Sequence, residues 1–326
     1  MCENQKFAHA SRELKHQLEN WLSAAGDVSH GPARAIIAPY VLYNYCHLCA
    51  GFAYKQIDPT IVKRVFILGP SHHVRLGGCA LSPAKIYRTP FYDLTIDQEI
   101  YEELYSSGLF EEMTIHTDED EHSIEMHLPY IAKIMENHQF TIIPVMVGSL
   151  TTDKEAIYGK IFSKYLAEPC NLFVISSDFC HWEHFSLPVQ FKHGSIVKTP
   201  RGIFVKFIHE LGSLTAMHTA AKTTGRIPCA EDNLLFQSLS SLEMEWGMNI
   251  IEELSPTGFV SYLKKYGNTI CGRHPIGVLL NAVYTIQKTG NGHKMSLKFL
   301  NYAQSSQCLS MSDSSVSYAA ASLRLD

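Results

Sequence analysis

VFILGPSHH, at residues 65–73, is the stretch around which the other segments of this chain can be arranged. Its β-branched and aromatic residues predict a strand that is buried on both faces, and the Gly-Pro pair ends that strand abruptly. His72 and His73 then follow in a loop. Because ligands of open α/β sheets bind outside the carboxyl ends of the strands, this loop is the first candidate for a functional site. Successive side chains of a strand point to opposite sides, so we expect at most one of the two imidazoles to enter a pocket.

Apolar runs and helical periodicities on both sides of this strand predict an α/β fold, with a mixed, mainly parallel sheet flanked by helices. The nearest unit is a strand at 35–38, a helix at 43–54 and the strand at 65–68, which together predict a parallel pair with a right-handed crossover. Further strands are predicted at 141–147, 172–175 and 296–302, and further helices at 11–23, 154–166, 256–266 and 275–286.

Several shorter segments contain sequence patterns that predict turns, loops and the ends of helices. Residues 79–93 predict a loose, hairpin-like segment, and Thr95 with Gln98 resembles a capping box that opens a helix. Residues 118–121 predict an acidic loop, while Pro129 lies either in the first turn of a helix or at a kink. The residues after Ser305 predict a small-residue tail.

The composition is that of a soluble, globular protein. The chain has 46% hydrophobic and 18% charged residues and a formal net charge of -5, which argues against nucleic acid as the main partner. No apolar stretch approaches membrane-spanning length, and the first residues lack the layout of a signal peptide. Nine cysteines are scattered without a framework spacing, which favours a reducing compartment. We therefore expect a cytoplasmic protein, with the nucleus as the alternative location, and no membrane insertion.

Residues 186–235 differ in character from the rest of the chain. Their periodicity is poor, and they contain clustered Gly, Ser and Thr. Because loops of this length are uncommon inside compact domains, we interpret them as an insertion or lid within a single domain that spans residues 1–326.

A second polar loop follows the strand predicted at 172–175. Asp178 and His181 could orient each other or share a metal ion, because a carboxylate with two histidines is the ligand set of non-haem Fe(II) oxygenases. Asp178 could equally cap the N-terminus of a helix. The preceding Ser176 and Ser177 lack the Gly-x-Ser-x-Gly surroundings of a hydrolase nucleophile, which disfavours a serine hydrolase.

His122 and Glu125 would share one face of a helix, three residues apart. A glutamate beside a histidine at the edge of a sheet is a plausible acid/base pair. A surface ion pair is an equally good interpretation, and the spacing alone favours neither.

Cys271 is the best candidate for a reactive or metal-bound thiolate. Arg273, His274 and the start of a predicted helix would each lower the pKa of its thiol, although an inert buried cysteine is the simpler alternative. The Cys-x-x-Cys pair at 46–49 falls inside a predicted helix and has no second pair to complete a zinc site. We interpret that pair as core packing.

Several strings of the sequence, taken in order, resemble the Memo family (mediator of ErbB-driven cell motility). The matching strings are AIIAP (35–39), ILGPSHH (67–73), DEDEHSIEMHLP (118–129), SSDFCHW (176–182), ICGRHP (270–275) and LNYAQSS (300–306). They cover most of residues 33–182 and 245–321, which makes the resemblance specific.

The resemblance implies a single α/β domain like that of class III extradiol dioxygenases, which are non-haem iron enzymes. It also implies that the protein relays receptor tyrosine kinase signals to the cytoskeleton and cell migration, with a phosphotyrosine-containing receptor peptide and cytoskeletal regulators as partners. By position, the family's pocket would include His122, and its copper or iron would be bound by His72 and Cys271. The catalytic candidates are Cys271, His72, His181 and Asp178, and the peptide-binding rim would contain Tyr40, His73, His122, Glu125, Arg273 and His274.

The chain also departs from the family pattern. Family members have Pro-His-Ala-Gly-Tyr where this chain has PYVLY at 39–43, so Tyr40 replaces a histidine that is a third metal ligand in the family. Tyrosinate can bind ferric iron, but a neutral phenol is a poor replacement for imidazole as a ligand to copper or Fe(II). An early family string, Ser-His-Ala-Gly-Ser-Trp-Tyr, is reduced here to HAS at 9–11, and residues 186–235 look unlike the family.

These departures indicate a divergent member with a weakened metal site. They favour a signalling protein whose rim pocket binds a phosphotyrosine peptide, with Arg273 and the histidines contacting the phosphate. The alternative is a copper- or iron-dependent oxidoreductase related to the non-haem iron dioxygenases.

Overall fold

The computed structural model describes residues 2–40, 44–179, 181–182, 247–266, 268–289, 294–306 and 315–326. The insertion or lid interpreted at 186–235 lies outside these ranges. The helices are Cys2–Ala24 (α1), Asn44–Tyr54 (α2), Gln98–Ser106 (α3), Ile115–Asp120 (α4), His122–Glu125 (α5), Leu128–Ile134 (α6), Thr152–Ala167 (α7), Pro256–Tyr266 (α8) and Arg273–Lys288 (α9).

The strands are Ala33–Ala38 (β1), Arg64–Pro70 (β2), Cys79–Leu81 (β3), Ile86–Tyr87 (β4), Leu94–Thr95 (β5), Phe110–Glu112 (β6), Thr141–Val147 (β7), Asn171–Ser176 (β8), His181–Trp182 (β9), Met295–Gln304 (β10) and Ser315–Leu325 (β11). The main sheet has the order β10-β11-β1-β8-β2-β7-β3-β6, and β9 pairs with β11. Strands β1, β8, β2 and β7 run parallel to one another and form its centre, while β11 and β3 flank them in the antiparallel direction. The predicted mixed α/β sheet flanked by helices is therefore confirmed.

Strand order differs from the sequence prediction at one point. Strands β1 and β2 are parallel, as predicted for a βαβ unit, but they do not pair with each other because β8 lies between them. Since both strands have an apolar run at their centre, at 35–38 and 65–68, either could pair with another buried strand, and the sequence of the unit alone does not specify its neighbour.

Two helices cover the strands that carry the site. Helices α7 and α9 pack against each other and against β8, and α9 also contacts β2. Beneath them Phe66 of β2 stacks on Phe173 of β8, with ring centroids 4.6 Å apart, and Phe162 of α7 meets both rings edge-on. This aromatic packing fixes β2 and β8 side by side, so their carboxyl ends share one edge of the sheet.

A second helical group packs against β1, β10 and β11. Helix α2 contacts all three strands and is itself covered by α1 and α6. Tyr54 of α2 and Tyr130 of α6 stack with centroids 4.6 Å apart. Cys46 and Cys49 are buried in this packing, which confirms that the Cys-x-x-Cys pair belongs to the core. None of the helices within the described ranges is both long and apolar enough to span a bilayer.

Three local predictions were wrong. The tail predicted after Ser305 contains β11, which lies between β10 and β1 in the sheet. The acidic loop at 118–121 is largely helical, because α4 extends to Asp120. Helix α3 is capped by Asp97 rather than by Thr95, since the Asp97 carboxylate accepts a hydrogen bond from the amide of Ile100. Pro129, by contrast, lies in the first turn of α6, the first of its two predicted positions.

Candidate functional site

The carboxyl ends of three neighbouring strands bring polar residues to one edge of the sheet. Tyr40 follows β1, Asp178 follows β8 and His72 follows β2. Cys271 joins them from the loop that precedes α9, and its amide donates a hydrogen bond to the carbonyl oxygen of Asp178 at 3.2 Å. The parallel strand order therefore places these four residues together, as expected for an open α/β sheet.

Glu121 holds His72 in position. The two Glu121 carboxylate oxygens accept the His72 amide at 2.7 Å and the Nδ1–H of its ring at 2.9 Å. The amide of Ser123 donates to the same carboxylate at 3.0 Å. Gly69 permits this arrangement, because a Cβ at that position would lie only 2.6 Å from Ser123 Oγ and 2.7 Å from Ile124 Cγ1. The short helix α5 can therefore approach the end of β2 closely.

The other side of the His72 ring contacts Tyr40 and Cys271. The Tyr40 hydroxyl lies 2.9 Å from His72 Nε2, and the Cys271 thiol hydrogen-bonds to both side chains. The hydrogen bonds with Cys271 and with Glu121 raise the pKa of His72 to about 10. Burial alone would raise the pKa of Glu121, but the hydrogen bonds from His72 outweigh it and lower that pKa to about 2. Burial and the nearby Asp178 and Cys271 raise the pKa of the Tyr40 phenol.

The loop after β8 is fixed to the start of α9. Ser177 Oγ accepts a hydrogen bond from the amide of Gly272 at 3.1 Å and donates one to the Asp178 carbonyl oxygen at 2.8 Å. A Cβ at Gly272 would lie 2.4 Å from both the Ser176 carbonyl oxygen and Ser177 Cβ, so a glycine is required for this close approach. Asp178 is fully buried, and its carboxylate accepts the backbone amide of Tyr40 at 3.2 Å. This bond positions the Tyr40 backbone. No helix begins at Phe179, His181 or Trp182, the described residues directly after Asp178, so the N-cap interpretation of Asp178 has no helix there to cap.

A cavity of about 320 Å³ opens beside these residues. Its walls come from the ends of β2 and β7 and from the start of α9, and they contain Pro70, Ser71, His72, Val147, Gly148, Ser149, Thr269, Cys271, Arg273 and His274. Helix α9 begins at Arg273, and its N-cap, Gly272, has no side chain to bond the first amides. The cavity therefore lies at a helix N-terminus with an arginine beside it, a combination that favours an anionic ligand.

The remaining predicted residues lie apart from this cluster or outside the described side chains. His73 is not among the residues that line the cavity, and its ring meets that of His122 edge-on with centroids 6.2 Å apart. His122 Nδ1 lies 3.0 Å from Glu125, and both side chains are exposed, as in the surface ion-pair interpretation. His274 lines the cavity but bonds through Nδ1 to Glu155 of α7 at 2.7 Å. Only the backbone of His181 is described, where it pairs with Val316 of β11.

Glu121 is the site residue that sequence reasoning missed. It lies in the run DEDE, which the sequence indicates to be a solvated acidic loop, yet its side chain is only 2% exposed. Glu121 also lines a second cavity of about 400 Å³, whose other walls come from β4 and helices α4 to α6. The one available signal was its position directly before His122, since a negative charge is favoured at the N-terminus of a helix.

The residues around His72 do not fit the metal site that the family resemblance implies. His72 Nε2, the ring nitrogen that does not bond to Glu121, is hydrogen-bonded to the Tyr40 hydroxyl. In the part of the chain with described side chains, no three His, Cys, Asp or Glu residues are grouped as metal ligands. We therefore derive no chemistry through a metal ion.

Comparison with known proteins agrees with the sequence strings. The sequence matches the family described as "Memo-like protein" over residues 5–322. The chain belongs to the Memo family. It is 54% identical over 319 residues to Protein MEMO1 of Homo sapiens and 53% identical to Protein MEMO1 of Danio rerio, covering 97% of this chain and 94% of each relative. Protein memo-1 homolog of Caenorhabditis elegans is 42% identical over 309 residues, which are 94% of this chain and 77% of that protein.

Among solved structures, an uncharacterized protein from Escherichia coli K12 has a TM-score of 0.42 and 11% sequence identity, covering 87% of this chain and 98% of its own. A likeness this distant carries no argument about function. The similarity to the extradiol dioxygenase fold therefore stays a prediction, and the fold class rests on the strand order itself.

Proposed function

We propose that this Memo-family protein relays receptor tyrosine kinase signals to the cytoskeleton and cell migration, and that its rim cavity binds a phosphotyrosine-containing receptor peptide. The partners would be that peptide and cytoskeletal regulators, in the cytoplasm or the nucleus. Family membership supports the cellular role, and the cavity at the start of α9 supports the peptide ligand.

The observation that carries the ligand is the position of Arg273. This side chain lines the cavity at the first residue of α9, where the helix amides lack a side-chain cap. A phosphate would accept hydrogen bonds from the guanidinium and would be favoured by the positive end of the helix dipole. Ser71, Ser149 and Thr269 line the same cavity and offer hydroxyl donors for the remaining phosphate oxygens.

The alternative function, a copper- or iron-dependent oxidoreductase, has no comparable observation in its favour. Its metal ligands would be His72 and Cys271, and both already hydrogen-bond to Tyr40. We therefore favour the ligand-binding function over the redox function.

Fluorescence anisotropy with a labelled phosphotyrosine peptide tests this proposal. We expect binding to the phosphorylated peptide and much weaker binding to its unphosphorylated form. Arg273→Gln should weaken binding roughly tenfold to a hundredfold, because a hydrogen bond to a charged group contributes about 1.5–3 kcal/mol. Arg88→Gln is the matched control, since Arg88 lines the second cavity. Equal affinity for both peptides, or equal effects of the two substitutions, would reject the proposal.

A further inference from the structure

The His72 ring has the orientation of a metal-bound histidine. Its Nδ1–H is donated to the carboxylate of Glu121 at 2.9 Å, so Nε2 is the nitrogen that a metal ion would have to use. Metal-ligating histidines almost always donate their second nitrogen to a carboxylate or carbonyl in this way. The Cys271 thiol contacts the same ring, so an imidazole and a thiol, both good ligands for transition metals, converge on one point.

The hydroxyl of Tyr40 lies where the metal would have to be. It is 2.9 Å from His72 Nε2, and a hydrogen bond to a ring nitrogen follows the same axis as a metal bond to that nitrogen. Because a typical metal–imidazole bond is about 2.0–2.1 Å, a metal ion on this axis would overlap the Tyr40 oxygen. Either direction of this hydrogen bond makes Nε2 unavailable to a metal ion, because the nitrogen lone pair accepts the Tyr40 proton in one case and carries its own proton in the other.

Contacts of its backbone, its ring and its hydroxyl hold Tyr40 in this position. Its backbone amide is bonded to the buried Asp178 carboxylate at 3.2 Å, and its ring lies against the His72 ring with centroids 5.4 Å apart. The hydroxyl also contacts the Cys271 thiol. The Tyr40 hydroxyl thus occupies the Nε2 side of His72, where a metal ion bound by that imidazole would have to lie.

We infer that Tyr40 is the residue that keeps this pocket free of metal, and that exchanging it for histidine alone creates a metal site with His72 and Cys271. The substitution would remove the hydroxyl from the Nε2 axis and add a second imidazole at the end of β1. This inference goes beyond the proposed peptide function, because it concerns what the pocket excludes and is independent of the ligand it binds.

Anaerobic titration with Co²⁺ tests the inference by spectroscopy rather than by activity. Cobalt bound to a thiolate gives a charge-transfer absorption band, and mass spectrometry gives the stoichiometry. We expect the native chain to bind little cobalt and to show no such band. Tyr40→Phe, which frees the Nε2 axis but leaves only two ligands, should bind cobalt more strongly than the native chain and more weakly than Tyr40→His. Tyr40→His should bind cobalt near stoichiometrically with the band, and Tyr40→His combined with Cys271→Ser should lose the band.

Each outcome bears on the inference. Near-stoichiometric cobalt with a thiolate band in the native chain would overturn it, because Tyr40 would then not exclude metal. A folded Tyr40→His variant that binds no cobalt would also overturn it, since a further obstacle must exist. Tyr40→Phe separates the two effects of the exchange, because it removes the hydroxyl without adding a ligand. Circular dichroism and urea unfolding establish that each variant is folded, and the titration of the native chain needs no variant at all.

Discussion

Two histidine–carboxylate pairs near the same edge of the sheet have almost equal lengths and very different surroundings. His72 Nδ1 lies 2.9 Å from Glu121, and His122 Nδ1 lies 3.0 Å from Glu125. In the first pair the side chains are 34% and 2% exposed, and in the second pair they are 64% and 62% exposed. The distance alone would therefore rank the two pairs as equivalent, and burial distinguishes them.

The number of further contacts separates the pairs as well. Glu121 accepts two additional backbone amides, and His72 contacts Tyr40 and Cys271 with its other nitrogen. Exposed ion pairs contribute little to stability because solvent and salt screen them, whereas removing one partner of a buried pair leaves polar groups unsatisfied. We expect the first pair to be essential for the site and the second to be dispensable.

The largest effect should follow from Glu121→Ala. The substitution leaves the amides of His72 and Ser123 and the His72 ring without their acceptor. We expect a loss of about 3 kcal/mol in the free energy of unfolding, as for breaking a partly buried charged network. Urea denaturation followed by fluorescence measures this loss.

Glu125→Ala is the matched control, with the same change of residue in the exposed pair, and should cost no more than about 0.5 kcal/mol. The pH dependence gives a second check. Since the folded-state pKa of Glu121 is lowered from 4.5 to about 2, its stabilisation is present above pH 4.5 and is lost as the pH falls towards 2. Equal losses of unfolding free energy for Glu121→Ala and Glu125→Ala would show that burial does not make the first pair more important than the second.

His127 shows the effect of burial on a histidine whose pKa is not raised by a carboxylate, in contrast to His72. His127 is 1% exposed, its Nδ1 lies 2.8 Å from the Tyr54 hydroxyl, and burial lowers its pKa to about 3. The His127 ring stays neutral in the folded state, whereas the same ring binds a proton in the unfolded chain below about pH 6.5. The free energy of unfolding therefore decreases as the pH falls from 6.5 towards 3.

His127→Gln should therefore change the pH profile of stability. The glutamine keeps an acceptor for the Tyr54 hydroxyl but cannot titrate. We expect the variant to be less stable by about 1–2 kcal/mol at pH 7, and this deficit to shrink by roughly 1–2 kcal/mol at pH 5. Urea midpoints at both pH values measure the change. A deficit that is constant with pH would mean that His127 titrates normally in the folded state.

The sequence was sufficient for the central strands and for the edge at which the site lies. Strands β1, β2, β7 and β8 each contain an apolar run, and polar residues follow closely after three of them. Strand β11 could not be recognised, because its sequence SVSYAAASLRL is dominated by small residues that carry little strand signal. Its identity is set by pairing with β1 and β10, which are distant in sequence from one another.

The same reason explains why Glu121 was missed while His72 was found. A histidine that follows a buried strand is positioned by that strand, so local sequence is informative. The burial of Glu121 depends on α5 packing against β2 through Gly69, which is a tertiary contact across about fifty residues of chain. Four acidic letters in a row otherwise indicate solvent exposure, and three of the four residues in DEDE do have at least partly exposed side chains.

The smallest effect should follow from His122→Ala. This side chain is 64% exposed and contacts only Glu125 and the edge of the His73 ring among the described side chains. We expect a change in the free energy of unfolding within about 0.5 kcal/mol, which becomes smaller still when salt is added. Phosphopeptide affinity should be unchanged, because His122 does not line the cavity of His72 and Arg273. A measurable loss of affinity in His122→Ala would extend the site to the exposed pair, and burial would then be a poor guide to which histidines of this edge are functional.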